Sequence, residues 1–455
     1  MDAKNDPALV LDFENLIAFL NSRGNEVKID PTLDRVSLLL DILGSPHLAF
    51  DAIHIAGTNG KTSTSRMVEA LLNETGLAVG LTTSPHMHDV RERIRLFGES
   101  VSMEVFVETF QELIPFIEMA EASIDAQLSY FEIMTALSFM IFAEAPVAVG
   151  VVEVGLGGEL DATNVIQPSV GVITPIGLDH QQYLGDTIYE IAQAKAGIIK
   201  PGMTVVVAKQ HPEALQVILE KAATEGAQVL LEGRDYEVIN RQVAVGGQSV
   251  SIRGVAGIYE DVLVPLYGEH QAQNAATALV AVEAFFGADA QQRTLDPDFV
   301  GEGFAKVTSP GRMEVVRRGP TVLLDAAHNP HGMAALLNSL EVEFNFDRKV
   351  FVLAAFADKD VAGLAALVEP VADHIILTQA DNDRALAATD FAERIAHVAS
   401  PEKIIQAAKL SDALDKAIAL CDEWAAEDLS GGVIVTGSIA TVAQVRAMFG
   451  KRNTQ

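Results

Sequence analysis

The stretch Asp51-Ala-Ile-His-Ile-Ala-Gly-Thr-Asn-Gly-Lys-Thr-Ser63 constrains this 455-residue chain more than any other. An apolar run around Ile53 and Ile55 reads as a short buried strand. The run breaks at Gly57, turns through Gly60 and opens a helical pattern with Met67, Ala70 and Leu71 on one face. A strand, a glycine turn, Gly-Lys-Thr and then a helix is the arrangement with which a backbone cradles phosphates. Glycines let N–H groups approach, the helix N-terminus adds partial positive charge, and a lysine reaches the terminal phosphates. The residues assigned to that cradle are Gly57, Thr58, Asn59, Gly60, Lys61, Thr62 and Ser63, with Thr62 placed to touch Mg²⁺. Ile55 stands where a general P-loop has its first glycine, so the motif is a shortened variant. The competing reading, a turn with a surface lysine, leaves the strand–turn–helix context unexplained.

Such a length exceeds what one hydrophobic core supports and predicts two or three domains. With 49% apolar and 21% charged residues, the chain is expected to be globular. Its longest apolar runs, such as Val147–Val152, are of strand length and predict no membrane span. The opening residues are acidic and polar, unlike an export leader, and Cys421 is the single cysteine, which excludes an internal disulfide or a multi-thiolate zinc site. The expectation is a cytoplasmic monomer. A formal charge of −30 argues against nucleic acid or an anionic membrane as partner. It also means that any nucleotide site needs locally clustered cations, for which Lys61, Arg91, Arg93, Lys195 and Arg312 are candidates.

Along the chain, amphipathic helices are predicted around Leu11–Leu20 and Leu33–Leu43, with a polar loop over Asn25–Thr32. Strands follow at Leu77–Thr82, Arg91–Phe97, Val147–Val154 and Val170–Thr174, and helices at Ser102–Ala120, Tyr130–Ala143, Ile188–Ile199 and Gly268–Phe286. Residues 235–265 alternate about Gly246-Gly247 and read as antiparallel hairpins. Composition shifts at Ser309-Pro310-Gly311, and beyond it strands at Val322–Asp325, Phe351–Ala354, His374–Leu377 and Val433–Thr436 alternate with helices. The predicted architecture is therefore α/β throughout: an ATP-binding P-loop domain over 1–309 and a smaller Rossmann-like domain over 310–455.

Polar residues gather where the predicted strands end, which is where open α/β sheets bind ligands. Ser84, His86, His88, Arg91 and Arg93 follow the second strand. Glu153 closes the Val147–Val154 run and leads into Gly155–Gly158 and Asp161-Ala-Thr163-Asn164, the position where an NTPase holds its metal acid. His180 follows the next strand. Each set alone could be a satisfied buried group; three sets converging on the phosphate loop favour a site. Lys195 interrupts an apolar helix and so needs a partner or a modification, whereas Lys200 reads as helix C-terminal charge compensation. His270–Asn274 opens a helix able to present amides to a base. Arg312 and the Asp325–His328 pair are expected to face a cleft at the domain boundary.

As a set, Gly57-Thr-Asn-Gly-Lys61, Thr83-Ser-Pro-His86, Glu92-Arg-Ile94, Glu153-Val-Gly-Leu-Gly-Gly158, Leu160-Asp-Ala-Thr-Asn164, Leu178-Asp-His180, Lys195-Ala-Gly-Ile-Ile-Lys200, Gly268-Glu-His-Gln271, Pro310-Gly-Arg312 and Ala327-His-Asn-Pro330 resemble the folylpolyglutamate synthase / dihydrofolate synthase family, a branch of the Mur ligases. The resemblance runs from about Leu33 to Thr441 with the motifs in family order. It implies an ATP-dependent carboxylate–amine ligase acting on L-glutamate and on dihydropteroate or folates through an acyl phosphate. It further implies that Gly57, Gly60, Lys61 and Thr62 hold the triphosphate, that Ser84, Glu153 and His180 hold Mg²⁺, and that Lys195 is carbamylated. Asn274, Arg312 and Asp325 would meet the nucleotide, with His328 near its phosphates. Asp30, Arg91, Asp161 and Thr163 would border the acid or glutamate pockets.

Three positions depart from the family pattern. Thr62 replaces a glycine, which leaves open whether Thr62 or Ser63 meets the metal; Glu159 stands where arginine is common, and Ala326 where glycine is usual. Two competing functions remain on the sequence alone. A peptidoglycan Mur ligase would need a whole domain ahead of the loop, and the 56 residues before Gly57 are too few. A P-loop switch would have no use for His328 and Arg312 on a second domain. The polar segment around Asp30 is expected to form a separate pterin pocket and so to confer both ligations.

Overall fold

A computed structural model describes residues 7–24, 32–287 and 294–451. Asp30 and the expected pterin-binding segment around it lie outside the described residues.

The central β-branched runs become strands because they are flanked on both sides by parallel neighbours, which suits residues apolar on both faces. An eight-stranded sheet contains β1 (Asp51–Ala56), β2 (Val79–Thr82), β3 (Ile94–Leu96), β4 (Glu99–Ser100), β5 (Val149–Glu153), β6 (Val170–Ile173), β7 (Thr204–Val207) and β8 (Gln228–Leu231). Their order is β4-β3-β2-β5-β1-β6-β7-β8. All pairings are parallel except those of the β2–β3–β4 edge. The segment read as one strand over Arg91–Phe97 divides: Asp89 caps a short 3₁₀ turn over Val90–Arg93, and only Ile94–Leu96 pair with β2.

β1 lies between β5 and β6, with Ile55 paired to Glu153 on one side and to Val172 on the other. The chain leaves β1 toward β2 on one flank and reaches β6 on the other, so the carboxyl end of β1 is the switch point of the sheet, where such sheets open a crevice.

Helices Pro7–Ser22, Asp34–Ile42, Met103–Ile124 and Tyr130–Glu144 pack a large core with Phe106, Phe110, Phe139 and Phe142 fully buried. A second core joins helices Ile188–Ala196 and Pro212–Glu225 to β6 and β7. Three further strands, β9 (Glu237–Ala244), β10 (Gly247–Arg253) and β11 (Ile258–Val264), form a sheet of order β11-β10-β9.

By internal contacts the chain divides into two units. The first comprises Met1–Asn240, Val250–Leu263 and Gln273–Val307; the second comprises Arg241–Ser249, Val264–Ala272 and Thr308–Gln455. A single cut at 309/310 therefore misses two short segments that group with the C-terminal part. The second unit carries a six-stranded sheet of β12 (Glu314–Arg318), β13 (Thr321–Leu324), β14 (Arg348–Leu353), β15 (His374–Leu377), β16 (Ile404–Gln406) and β17 (Gly431–Thr436), in the order β12-β13-β17-β14-β15-β16. Only β12 is antiparallel to its neighbour. Among the described residues no helix is long and apolar enough to cross a membrane.

Candidate active site

The turn after β1 takes its shape from two glycines. Gly57 has φ 149°, and a Cβ there would lie 1.9 Å from Thr174 Oγ1. Gly60 has φ 88°, and its Cβ would lie 2.6 Å from Asn274 Oδ1. Side chains are excluded at both places, so the turn is pressed against the end of β6 and against the helix Glu269–Phe285. Thr58 and Asn59 donate their N–H groups to Pro175 O at 3.0 and 3.2 Å. The Thr58 hydroxyl also bridges Gly177, donating to its carbonyl and accepting from its N–H. These two residues thus anchor the turn. The turn leads into the helix Lys61–Glu74, and the first-turn N–H groups of a helix have no intrahelical acceptor, the arrangement that suits an anion.

Two ammonium groups converge on one oxygen. Lys61 Nζ donates to Gly57 O at 3.1 Å, and Lys195 Nζ donates to the same carbonyl at 2.9 Å. Lys195 sits in the last turn of the helix Ile188–Ala196, which Thr187 and Glu190 start with a reciprocal cap. The Glu159 N–H donates to Ala194 O at 2.8 Å and ties this helix to the loop after β5. Lys195 is buried. Burial first, and then the charge of Lys61, lower its pKa to about 7, against the opposing pull of Asp179 and Asp161. Asp179, a buried carboxylate, was not singled out from sequence; its Oδ1 accepts the His180 N–H at 2.9 Å.

Glu153 ends β5 and accepts the Thr62 hydroxyl at Oε1, 2.8 Å. A small cleft beside it is lined by Ser84, Arg93, Phe131, Met134, Glu153 and Thr163 among others. Arg93 donates from Nε to His86 Nδ1 at 2.9 Å and lies 5.2 Å over the Tyr130 ring. Among the described residues no three His, Cys, Asp or Glu side chains gather into a metal site. The donors that do meet here are oxygens: the Thr62 hydroxyl on Glu153, with Ser84 on the same cleft. This set fits Mg²⁺, a hard ion that keeps waters and substrate phosphates and needs only one or two protein carboxylates. His180 adopts φ 52°, has a side chain 38% exposed and is not among the residues lining this cleft.

Several expected ligand contacts prove to be internal. Asp161 accepts the Leu156 N–H at Oδ2 (2.7 Å), and the Thr163 N–H and hydroxyl at Oδ1 (3.0 and 2.5 Å). Thr163 Oγ1 lies 2.9 Å from His54 Nε2. The hydroxyl proton goes to Asp161, so His54 donates from Nε2 and is neutral. Asp161 thereby organises the loop, and its burial raises its pKa. Arg91 is locked to Asp89, Nη2 to Oδ2 at 2.6 Å, and lies over the Phe13 ring. Arg93 is the arginine of this stretch that borders the cleft. Lys200 lies beyond the helix end and donates to Asn164 O at 3.2 Å, so it braces a loop instead of compensating a helix terminus.

His54 is fully buried, and burial first, then Lys200, lower its pKa to about 3. The unfolded chain takes up this proton near pH 6.5 while the native state refuses it down to about 3. The stability that His54 contributes is thus present above pH 6.5 and is lost progressively as pH falls toward 3. Replacement by Asn should remove one proton from that slope, about 1.4 kcal/mol per pH unit. Urea melts of both proteins at pH 7 and pH 5 check it; parallel slopes would contradict the assignment.

In the second unit Arg312, Asp325 and His328 come together. Asp325 follows β13 and accepts N–H bonds from Met313 (3.0 Å) and Ala327 (2.8 Å). Burial raises its pKa against the pull of the Arg312 guanidinium. His328 Nδ1 lies 2.9 Å from Ala326 O and donates to it. Burial first, and then Arg312, Arg241 and His331, lower the His270 pKa to about 4.

A P-loop on a largely parallel sheet, followed by a second α/β unit, defines a Mur-type ligase architecture. Residues 55–282 match the Mur ligase middle domain and residues 311–439 the Mur ligase, glutamate ligase domain. The chain is 45% identical to the dihydrofolate synthase/folylpolyglutamate synthase of Mycobacterium tuberculosis, over 98% of this chain and 94% of that protein. With the Escherichia coli protein of the same name identity is 32%, over 100% and 99%. The folylpolyglutamate synthase of M. tuberculosis, solved with ADP and AMPPCP, superposes with a TM-score of 0.93 at 43% identity, over 98% of this chain and all of that one. The E. coli FolC structure in complex with DHPP and ADP gives 0.82 at 30% identity, over 97% and 98%. The chain belongs to the folylpolyglutamate synthase / dihydrofolate synthase family of the Mur ligase superfamily.

Proposed function

We propose that this chain is an ATP-dependent ligase that joins the amino group of L-glutamate to dihydropteroate and to the glutamate tail of folates. The observation that carries this reading is the convergence of Lys61 and Lys195 on Gly57 O at the start of a helix, beside Thr62 and Glu153. Lys61 and the helix N-terminus offer positive charge to a bound polyanion, with Thr62 and Glu153 beside them. Relatives across nearly the whole chain bear the names of both activities.

The chemistry follows from the substrates. A carboxylate is a poor acyl donor because its leaving group would be oxide. Transfer of the ATP γ-phosphoryl group to the carboxylate oxygen gives an acyl phosphate. The neutral glutamate amine then attacks the acyl carbon, phosphate leaves, and the ammonium formed loses a proton. Lys61 and the helix N-terminus offset the charge that builds on the transferring phosphoryl. Thr62, Glu153 and Ser84, with His180 as a further ligand, would hold Mg²⁺, which would supply charge neutralisation for phosphoryl transfer. Gly57, Asn59, Gly60, Ser63 and Asn274 shape and flank the phosphate loop, and Arg312, Asp325 and His328 contribute from the second unit. On the cleft beside Glu153, Arg93 is the cation placed to meet a substrate carboxylate. Carbamylation of Lys195 is part of the proposal; a buried amine with a pKa of about 7 is neutral often enough to react with CO₂.

An ADP-release assay over a matrix of dihydropteroate, a reduced monoglutamyl folate and a UDP-linked peptide acid, each with and without glutamate, tests the reading. ADP release should require glutamate together with either of the first two acids. Release without any acid, or only with the peptide acid, would overturn it. Within the same assay, Glu153→Gln should raise the Mg²⁺ concentration for half activity by roughly tenfold or more, with little change in the glutamate KM. The opposite pattern would place Glu153 in the amino-acid pocket.

A further inference from the structure

Arg312 is presented by an unusual turn. Gly311 and Met313, its two neighbours, both have positive φ, 68° and 47°. A non-glycine residue holds that conformation only where its surroundings fix it. One side of the turn is fixed by Asp325, whose Oδ2 accepts the Met313 N–H, and by the Ala326 N–H donating to Gly311 O at 2.9 Å. The other side is fixed by Glu314, whose Oε2 accepts the Gly311 N–H at 2.9 Å.

Glu314 is held in turn from the last helix of the second unit, Ile439–Met448. Arg446 donates from Nε to both Glu314 oxygens, at 2.9 and 3.2 Å, and from Nη1 to Lys451 O at 2.8 Å. Its side chain is 5% exposed and that of Glu314 is 16% exposed, so the pair is shielded from solvent and bonded at both ends. Lys451 Nζ adds a weaker contact to Glu314 Oε1 at 3.4 Å. The chain of bonds Arg446–Glu314–Gly311 thus runs from the terminal helix to the residue before Arg312.

We infer that Arg446 and Glu314 are positioning residues for Arg312: through the Gly311 N–H they fix the turn that aims its guanidinium at the nucleotide. The inference rests on the assignment of Arg312 to nucleotide binding. A buried ion pair is not needed to hold two secondary-structure elements together, since apolar residues do that as well or better. What an apolar pair cannot supply is the acceptor for the Gly311 N–H, and that acceptor is oriented by Arg446. The specific consequence is a nucleotide defect from a residue that touches no nucleotide.

The test is a double-mutant cycle on the full-length enzyme, read as the Kd of Mg·ADP by calorimetry and as the KM for ATP and for glutamate. Arg446→Met and Glu314→Gln should each weaken ADP binding and raise the ATP KM by roughly five- to tenfold, with the glutamate KM shifted less than twofold. Arg446→Lys, which keeps the charge and one donor, should recover part of the loss. In an Arg312→Ala background the Arg446→Met effect should vanish, because the group being aimed is gone. Equal losses in both backgrounds, or equal shifts in both KM values, would show a merely structural role and overturn the inference. If Arg446→Met does not fold, Glu314→Gln carries the same cycle with a milder change of volume. If Arg312→Ala alone leaves ADP binding intact, the assignment of Arg312 fails; a tight-binding Arg446→Met beside a weak-binding Arg312→Ala defeats only the positioning role.

Discussion

Lys61→Ala is expected to abolish glutamate-dependent ADP release while leaving the thermal unfolding transition in place. Inside the protein Lys61 makes one hydrogen bond, to Gly57 O, and it is only half-buried, so its removal leaves no cavity in a core. The turn is held by other groups: Thr58 and Asn59 on Pro175, the Thr58 hydroxyl on Gly177, and Asn274 packed against Gly60. What disappears is the cation proposed to face the phosphates. Loss of one preorganised group that stabilises transition-state charge costs roughly 10²–10³-fold in kcat, and a full positive charge at the transferring phosphoryl should cost at least that. A second effect follows from geometry. Lys61 helps to depress the Lys195 pKa, so in the variant Lys195 is protonated over a wider pH range. Steady-state kinetics and a thermal melt together decide the matter. Turnover within a few-fold of wild type would remove Lys61 from the chemistry; a lost transition would make its role structural.

The parts of this site legible in the sequence are those carried by backbone pattern. Glycines at a strand end, a helix beginning at Lys61 and carboxylates closing apolar runs are local signals, and β1, β5 and β6 do bring Lys61, Glu153 and Lys195 to one end of one sheet. Partner choice was not legible. Asp161 and Arg91 read as ligand-facing because they are polar and lie at strand ends, yet each is consumed by neighbours two to five residues away. Asp179 passed unnoticed beside His180, although it is the buried one and contributes to the field at Lys195.

Buried charge inside elements was equally hidden. Glu69 and Arg95, neither of them singled out from the sequence, pair at 3.0 Å in the fold, both nearly sealed from water. Only the pairing of β3 beside β2 creates that environment, and sequence spacing does not encode it. Likewise β12 and β16 were missed, being short strands at the edges of the second sheet, where little burial marks the pattern.

Lys195→Ala should lose nearly all ligase activity and regain part of it on addition of a short carboxylic acid such as acetate. The residue is buried next to a second lysine, so as an ammonium it is the costly member of the site; the proposed carbamate would make it an anion beside Lys61. The modification consumes the neutral amine and CO₂ and releases one proton, forming the N–C bond of the carbamate. With a folded pKa of about 7, the neutral form dominates above pH 7 and is lost as pH falls below it, so enzyme stripped of CO₂ should be reactivated by bicarbonate faster at pH 8 than at pH 6. The stability consequence has the opposite origin from a catalytic one. The unfolded chain binds this proton up to about 10.5 and the unmodified folded state only up to about 7, so the cost to folding is full below pH 7 and fades as pH rises toward 10.5. Lys195→Met should therefore be at least as stable as CO₂-stripped wild type at pH 7 while remaining inactive, which separates lost chemistry from lost fold. Wild type incubated with ¹³C-bicarbonate should show a carbamate carbon resonance that is absent from Lys195→Met. Full activity of Lys195→Ala without added bicarbonate or carboxylic acid, or the same resonance in both proteins, would rule the carbamate out.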